Sequence, residues 1–325
     1  MISKLLAASV AAIAFAAAAP ASAQTYPAKP VRVIVTFAPG GAGDITGRLV
    51  GDKLSELWKQ PVVIENRVGG GGRIGVEAVY RAEPDGYTLL LSSNSHITNQ
   101  VLFKDLGYDL EKDFAMLGLV TSTPMVLAVT PKVPVKSVRE FTEMARANPG
   151  KVDYATCGVA TIMHFAAELY KNATKTFIVH IPHRGCGPAA AALAGGQIDV
   201  ALVSMAPILP FARQGRVRML GITTGERSPA APDVPTFREA GLPELKDFVV
   251  ENYYGFQAPA ATPKEVQAKI EADLRTVMKA PDLLQKMANA GLDPFVRTPA
   301  QMRELYRADL QKFARAAAAG GIKPE

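Results

Sequence analysis

Short apolar runs alternate with amphipathic segments along most of this chain. VRVIVTF at 31–37, VVIEN at 62–66 and YTLLLSS at 87–93 are rich in aliphatic and β-branched residues and bounded by turn residues, so each predicts a strand. Residues 45–57 and 75–82 lie between them and read as helices. This βαβαβ order predicts an α/β fold with a parallel sheet covered by helices.

Residues 114–129 hold two apolar stretches interrupted by Thr121-Ser122-Thr123-Pro124. A second alternating series follows, with strands expected near 152–155, 177–182, 198–204 and 217–223. Its helices are expected at 138–147, 161–170, 188–194 and 207–213. A strand over 248–257 and helices over 264–278 and 300–318 complete the pattern. The order predicts one lobe from 24–122 and 250–325 and an inserted lobe over 123–249. Two crossings, near 115–130 and 245–258, would make a hinge.

The first residues form a separate case. Lys4, an apolar run over 5–19 and Ala21-Ser22-Ala23 match an export signal, with cleavage expected after Ala23. The run is shorter than the roughly 20 residues needed to span a bilayer. The expected location is therefore outside the cytoplasm.

Composition narrows the function. Of 325 residues, 48% are hydrophobic and 20% charged, which is a globular profile, and the net charge of +6 is modest. Lys and Arg are scattered, with no zinc-finger spacing or aromatic-rich basic motif, so nucleic acid is not the expected partner. A mildly positive field suits an anionic solute. The two cysteines, Cys157 and Cys186, are expected to form a disulfide in an oxidising compartment. The alternatives are buried thiols, or a Cys157 nucleophile with His164 or His183 as base.

Candidate chemistry sits in the turns. Residues 37–44, Phe-Ala-Pro-Gly-Gly-Ala-Gly-Asp, join a strand to a helix and place backbone N–H groups at a helix N-terminus, where an anion is favoured. Asp44 either caps that helix or receives a ligand's ammonium or hydroxyl. The turn lacks the Gly-Lys-Ser/Thr ending of a nucleotide-hydrolysing loop. Gly70, Gly72 and Gly75 match a dinucleotide pattern formally, but no acidic residue follows at the ribose-binding distance, so a close-packed structural turn is expected. Ser92, Ser93 and Asn94 lie at the carboxyl end of the third strand, where open α/β sheets bind ligands. In the inserted lobe, residues 155–161 and 184–188 form neighbouring strand-to-helix loops facing the same edge. No metal site or cofactor is expected, since His180 and His183 lack a full ligand set.

Several segments, taken in order, carry a family resemblance: YPAKPVRVIVTFAPGGAGD, VVIENRVGGGGRIG, RAEPDGYTLLLSS, HIPHRGCGPAAAALAGGQIDV and YYGFQAPAATP. Nearly the whole mature chain resembles the Bug family, the periplasmic substrate-binding proteins of tripartite tricarboxylate transporters. The resemblance implies a type II periplasmic-binding-protein fold, a monomer without enzymatic activity, that closes on an organic acid and delivers it to membrane permease subunits. By position it implies ligand contacts at Pro39, Gly40, Gly41, Asp44, Ser92, Ser93 and Asn94. Across the cleft it implies Thr156, Cys157, Gly158, Thr161 and His164, with Tyr254 near the second crossing. A sensory receptor with the same site is the alternative.

Two departures from the family pattern stand out. The loop before His164 reads Gly158-Val159-Ala160-Thr161-Ile162-Met163, more apolar than usual, and Ser204 stands where an Asp is frequent. The second departure implies weaker recognition of a ligand amine.

Overall fold

A computed structural model describes residues 26–323, so the expected signal over 1–23 and its cleavage point lie outside the described residues. Two mixed sheets form the framework. The first contains β1 (Val31–Val35), β2 (Val62–Asn66), β3 (Thr88–Ser93), β4 (Phe114–Thr123), β10 (Asn252–Pro259) and β11 (Asp293–Arg297), in the order β11-β4-β10-β3-β1-β2. The second contains β5 (Met125–Val129), β6 (Asp153–Thr156), β7 (Val179–Pro182), β8 (Val200–Ser204) and β9 (Arg218–Ile222), in the order β7-β6-β8-β5-β9. β5, β8 and β10 are buried along their whole length, because helices cover both faces.

The expected parallel sheet is found only in part. β1 is parallel to β2 and β3, and β6 is parallel to β7 and β8, as strand-helix-strand crossovers require. β10 runs antiparallel to β3 and β4, and β5 runs antiparallel to β8 and β9. Both strands lie where the chain passes between lobes, so no crossover helix sets their direction. β4 passes through Pro124 into β5, and Asn252 at the return crossing pairs with Thr123, so the two crossings lie side by side.

The helices are α1 (Ala42–Trp58), α2 (Arg73–Tyr80), α3 (Ser95–Leu102), α4 (Val138–Ala147), α5 (Ile162–Thr174), α6 (Cys186–Ala194) and α7 (Met205–Arg213). After the return crossing come α8 (Lys264–Val277), α9 (Pro281–Asn289) and α10 (Pro299–Gly320). Hydrophobic periodicity did not reveal α3, α9 or β11. Residues 95–99 of α3 are all buried although four of them are polar, so α3 has no simple apolar stripe. β11 is a short edge strand containing Pro294.

α10 opens with a capping box between Thr298 and Gln301 and then runs across both lobes. Tyr306 donates to Gln100 at 2.5 Å and Tyr253 donates to Asp309 at 2.6 Å. Further along, Phe313 meets Phe165 of α5 with ring centroids 5.1 Å apart, and Asn172 donates to the Gly320 carbonyl. Phe313 is 2% exposed, so Phe313→Ala should lower stability by about 3 to 5 kcal/mol, read as a reduced midpoint in urea unfolding.

Candidate functional site

The turn after β1 is organised by Asp44. α1 begins at Ala42, three residues earlier than its apolar pattern indicates, so Asp44 lies inside the first helical turn and Gly41 occupies the cap position. The expectation of Asp44 as an N-cap is therefore corrected. Its Oδ2 accepts from the Gly40 N–H at 3.0 Å and Arg48 Nε at 3.1 Å, while Oδ1 accepts from Asn66 Nδ2 and Arg48 Nη2, each at 2.9 Å. Asn66 also donates to the Phe37 carbonyl at 2.9 Å, which ties the turn at both ends. With four donors already in place, the carboxylate shapes the turn. Burial alone would raise the Asp44 pKa, but hydrogen bonds from Arg48, Gly40 and Asn66, with the Arg48 charge, hold it below the ordinary carboxylate range.

Facing the turn is a narrow interlobe cavity of about 10 Å³, lined by Phe37, Gly41, Ala42, Gly43, Ser95, Cys157, Thr161, Met163, Cys186 and Tyr254. Most of these residues begin helices. Gly41 to Gly43 open α1, Ser95 opens α3, Thr161 and Met163 open α5, and Cys186 opens α6. Four helix N-termini from two lobes thus converge, each carrying roughly half a positive charge. Neither Gly41 before α1 nor Gly185 before α6 supplies a capping side chain. The lining contains no Asp, Glu, Lys or Arg, so its polarity comes from backbone and hydroxyl groups.

Supports behind this lining fix its shape. His96 accepts from the Ser93 N–H through Nδ1 at 3.3 Å, lies 3.0 Å from Thr36 Oγ1 through Nε2, and stacks on Phe37. Complete burial pushes its pKa down to about 3, so it remains a neutral strut. The Tyr254 hydroxyl accepts from Asn252 Nδ2 at 3.0 Å, and Asn252 also donates to Ser204 Oγ at 3.0 Å. Ser204 Oγ lies 3.4 Å from Cys186 Sγ. Burial raises the Tyr254 pKa against the hydrogen bonds from Asn252, Ser204 and Gly43, which keeps the phenol neutral.

The lobes touch at the cavity rim. Ser95 Oγ accepts from the Ile162 N–H at 3.1 Å, and Thr98 donates to the Ala160 carbonyl at 2.5 Å. Gly187 packs so tightly on the 39–41 turn that a Cβ there would stand 2.5 Å from the Pro39 oxygen. Cys157 and Cys186 are joined by a disulfide linking the loop before α5 to the first residue of α6, so the Cys157 thiol nucleophile left open by the sequence is ruled out in this state.

Of the residues anticipated from sequence, Gly41, Cys157, Thr161 and Tyr254 line this cavity. Pro39 and Gly40 lie exposed at the rim. Ser92 and Ser93 pair with Gly255 and Tyr254 in the sheet, and Asn94 donates to the Glu251 carbonyl at the return crossing. Thr156 lies behind its loop, 2.6 Å from His180 Nε2 and accepting from the Gly158 N–H. His164 does not reach the cavity; its Nδ1 accepts from the Ala160 N–H at 3.2 Å and its ring stacks on His180. Ala42 and Gly43 belong to the 37–44 turn marked from the sequence, whereas Ser95 and Met163 were not among the expected contacts, because their place in the lining follows from where helices start. The Ser95-x-x-Thr98 hydroxyl pair on α3 was the available signal.

A larger chamber of about 420 Å³ adjoins the cavity, sharing Phe37 and Cys157 and extending along residues 68–73 and 182–184. The second glycine cluster forms its wall as a close-packed turn. Gly71 has φ +66°, and a Cβ on it would lie 2.8 Å from the Val159 oxygen of the other lobe.

Two α/β lobes on a double crossing, enclosing a cavity of convergent helix ends, define a solute-binding receptor of the periplasmic-binding-protein type. Comparison with known proteins gives the family: residues 46–320 match the Tripartite tricarboxylate transporter family receptor, and the chain belongs to that family. It is 34% identical to Protein BugT of Bordetella pertussis over 299 residues, 91% of each chain. A structure of Rpa4515 of R. palustris with adipate superimposes with a TM-score of 0.88 at 28% identity, covering 92% of this chain and 100% of that one. MatC (Rpa3494) of Rhodopseudomonas palustris with bound malate gives 0.83 at 30% identity, covering 90% and 99%.

The Asp44 network has a pH signature. Because its folded pKa lies below the unfolded value of about 4, its contribution is complete above that value and fades as pH falls through the folded one. Asp44→Asn should therefore cost about 1 to 3 kcal/mol at neutral pH. In urea unfolding followed across pH, the gap to the parent protein should shrink in strong acid.

Proposed function

We propose that this protein is an exported receptor that captures a small organic acid between its lobes and delivers it to the membrane permease subunits of a tripartite tricarboxylate-type transporter. The observation that carries this reading is the convergence of four helix N-termini on one cavity whose lining has no charged side chain. A carboxylate placed there accepts backbone and hydroxyl hydrogen bonds and neutralises the helix ends. Relatives with bound adipate and malate support the ligand class, and the family's name supports the permease partner.

In this reading Gly41, Ala42, Gly43, Ser95 and Thr161 grip the carboxylate, while Phe37, Met163, Tyr254 and the Cys157–Cys186 bridge form its walls. Pro39, Gly40 and Gly158 act at the rim. Asp44, Ser92, Ser93, Asn94, Thr156 and His164 hold the loops in place. Ser204, hydrogen-bonded within the wall, offers no carboxylate to a ligand amine, which favours acids without an ammonium group. The Ala23 cleavage motif and the disulfide both fit the periplasm.

Thermal-shift screening against a panel of organic acids tests the reading. A ligand at about 100 times its Kd should stabilise the folded protein by about 2.7 kcal/mol. A panel giving no shift with any carboxylate would falsify it. Gly187→Ala places a methyl against the Pro39 oxygen and should obstruct closure. Calorimetry should then show ligand affinity reduced by about tenfold or more.

A further inference from the structure

Resting on the carboxylate-receptor reading, we infer that the larger chamber is a second anion subsite. Arg73 of one lobe and Arg184 of the other receive there the far acid group of an elongated, apolar-backed diacid. Both arginines line the chamber, and no Asp or Glu does. Arg73 Nε donates to the Gly70 carbonyl at 3.0 Å, and its guanidinium lies 4.1 Å above the centre of the Phe103 ring. These contacts hold the group in one plane without using an acidic partner. Its helical neighbour Glu77 is ion-paired with Arg81 instead.

Arg184 is exposed and makes no hydrogen bond or ion pair among the described residues. Elsewhere Arg48, Arg81, Arg227 and Arg307 each hold a carboxylate. Two cations facing one cavity from opposite lobes, without a counter-ion, form an anion site that gains strength as the lobes close.

The walls between the two subsites set the ligand's middle. The chamber shares Phe37 and Cys157 with the carboxylate cavity, so one molecule can occupy both. Val68, Phe103, Val159 and Pro182 supply apolar surface along the way. A compact hydroxylated diacid would leave that surface wet, whereas a diacid with an extended hydrocarbon spacer covers it.

The test compares diacids of increasing length with monoacids of equal length by isothermal calorimetry: malonate, succinate, adipate and suberate against propionate, butyrate, hexanoate and octanoate. Expected is a diacid advantage that grows with length and reaches about tenfold or more for the long pairs. Arg73→Gln and Arg184→Gln should each shrink that advantage while leaving monoacid affinity unchanged, which also shows that the variants fold. Monoacids that bind with no diacid advantage at any length, or an advantage that survives both substitutions, would overturn the inference while the receptor reading stands. If no acid of either series binds, the receptor reading fails and the inference falls with it.

Discussion

Exposed N–H groups at helix N-termini are the constraint on which this structure depends. An α-helix leaves its first donors unpaired, and bringing several such ends together concentrates positive potential. Here α1, α3, α5 and α6 all begin at one cavity, and they come from both lobes. Caps that would quench the donors are missing where the cavity needs them, since Gly41 and Gly185 have no side chain. The caps that are present both serve α5: Thr161 accepts from the His164 N–H, and Ser95 accepts from the Ile162 N–H across the cleft.

Much of the surrounding structure braces that arrangement within each lobe. Asp44, Asn66 and Arg48 hold the first turn, and His96 backs Phe37 as a neutral ring. The Cys157–Cys186 bridge couples the loop before α5 to the first residue of α6, so the inserted lobe presents both helix ends as one unit. Between the lobes run two adjacent strand crossings and the long α10, which contacts both. The two halves meet where glycines at 187 and 71 allow the backbones to approach closely.

Periodicity and turn chemistry made the α/β character, the two series of βα units and the importance of the 37–44 turn legible in the sequence. Local signals produce these features: apolar runs between turn residues, and glycine after a strand. The order of elements also predicted the two lobes, and the family resemblance named candidate contact residues. Gly41, Cys157, Thr161 and Tyr254 reach the cavity, whereas Thr156 and His164 turn to partners inside their own lobe. Sequence spacing could not separate these cases, because a loop residue's neighbours in three dimensions decide which way its side chain is drawn.

The sequence by itself determined most of the segments that become strands and helices, where the sharp turns fall, and that two cysteines were available to pair. Tertiary structure alone decided that β5 and β10 run against their neighbours, that Asp44 braces a turn instead of capping a helix, and that Ser95 latches onto the opposite lobe. The physical reason is range. Strand and helix preferences arise from residues a few positions apart, whereas the cavity is assembled from helix starts separated by up to about 145 positions, and only folding brings those ends together.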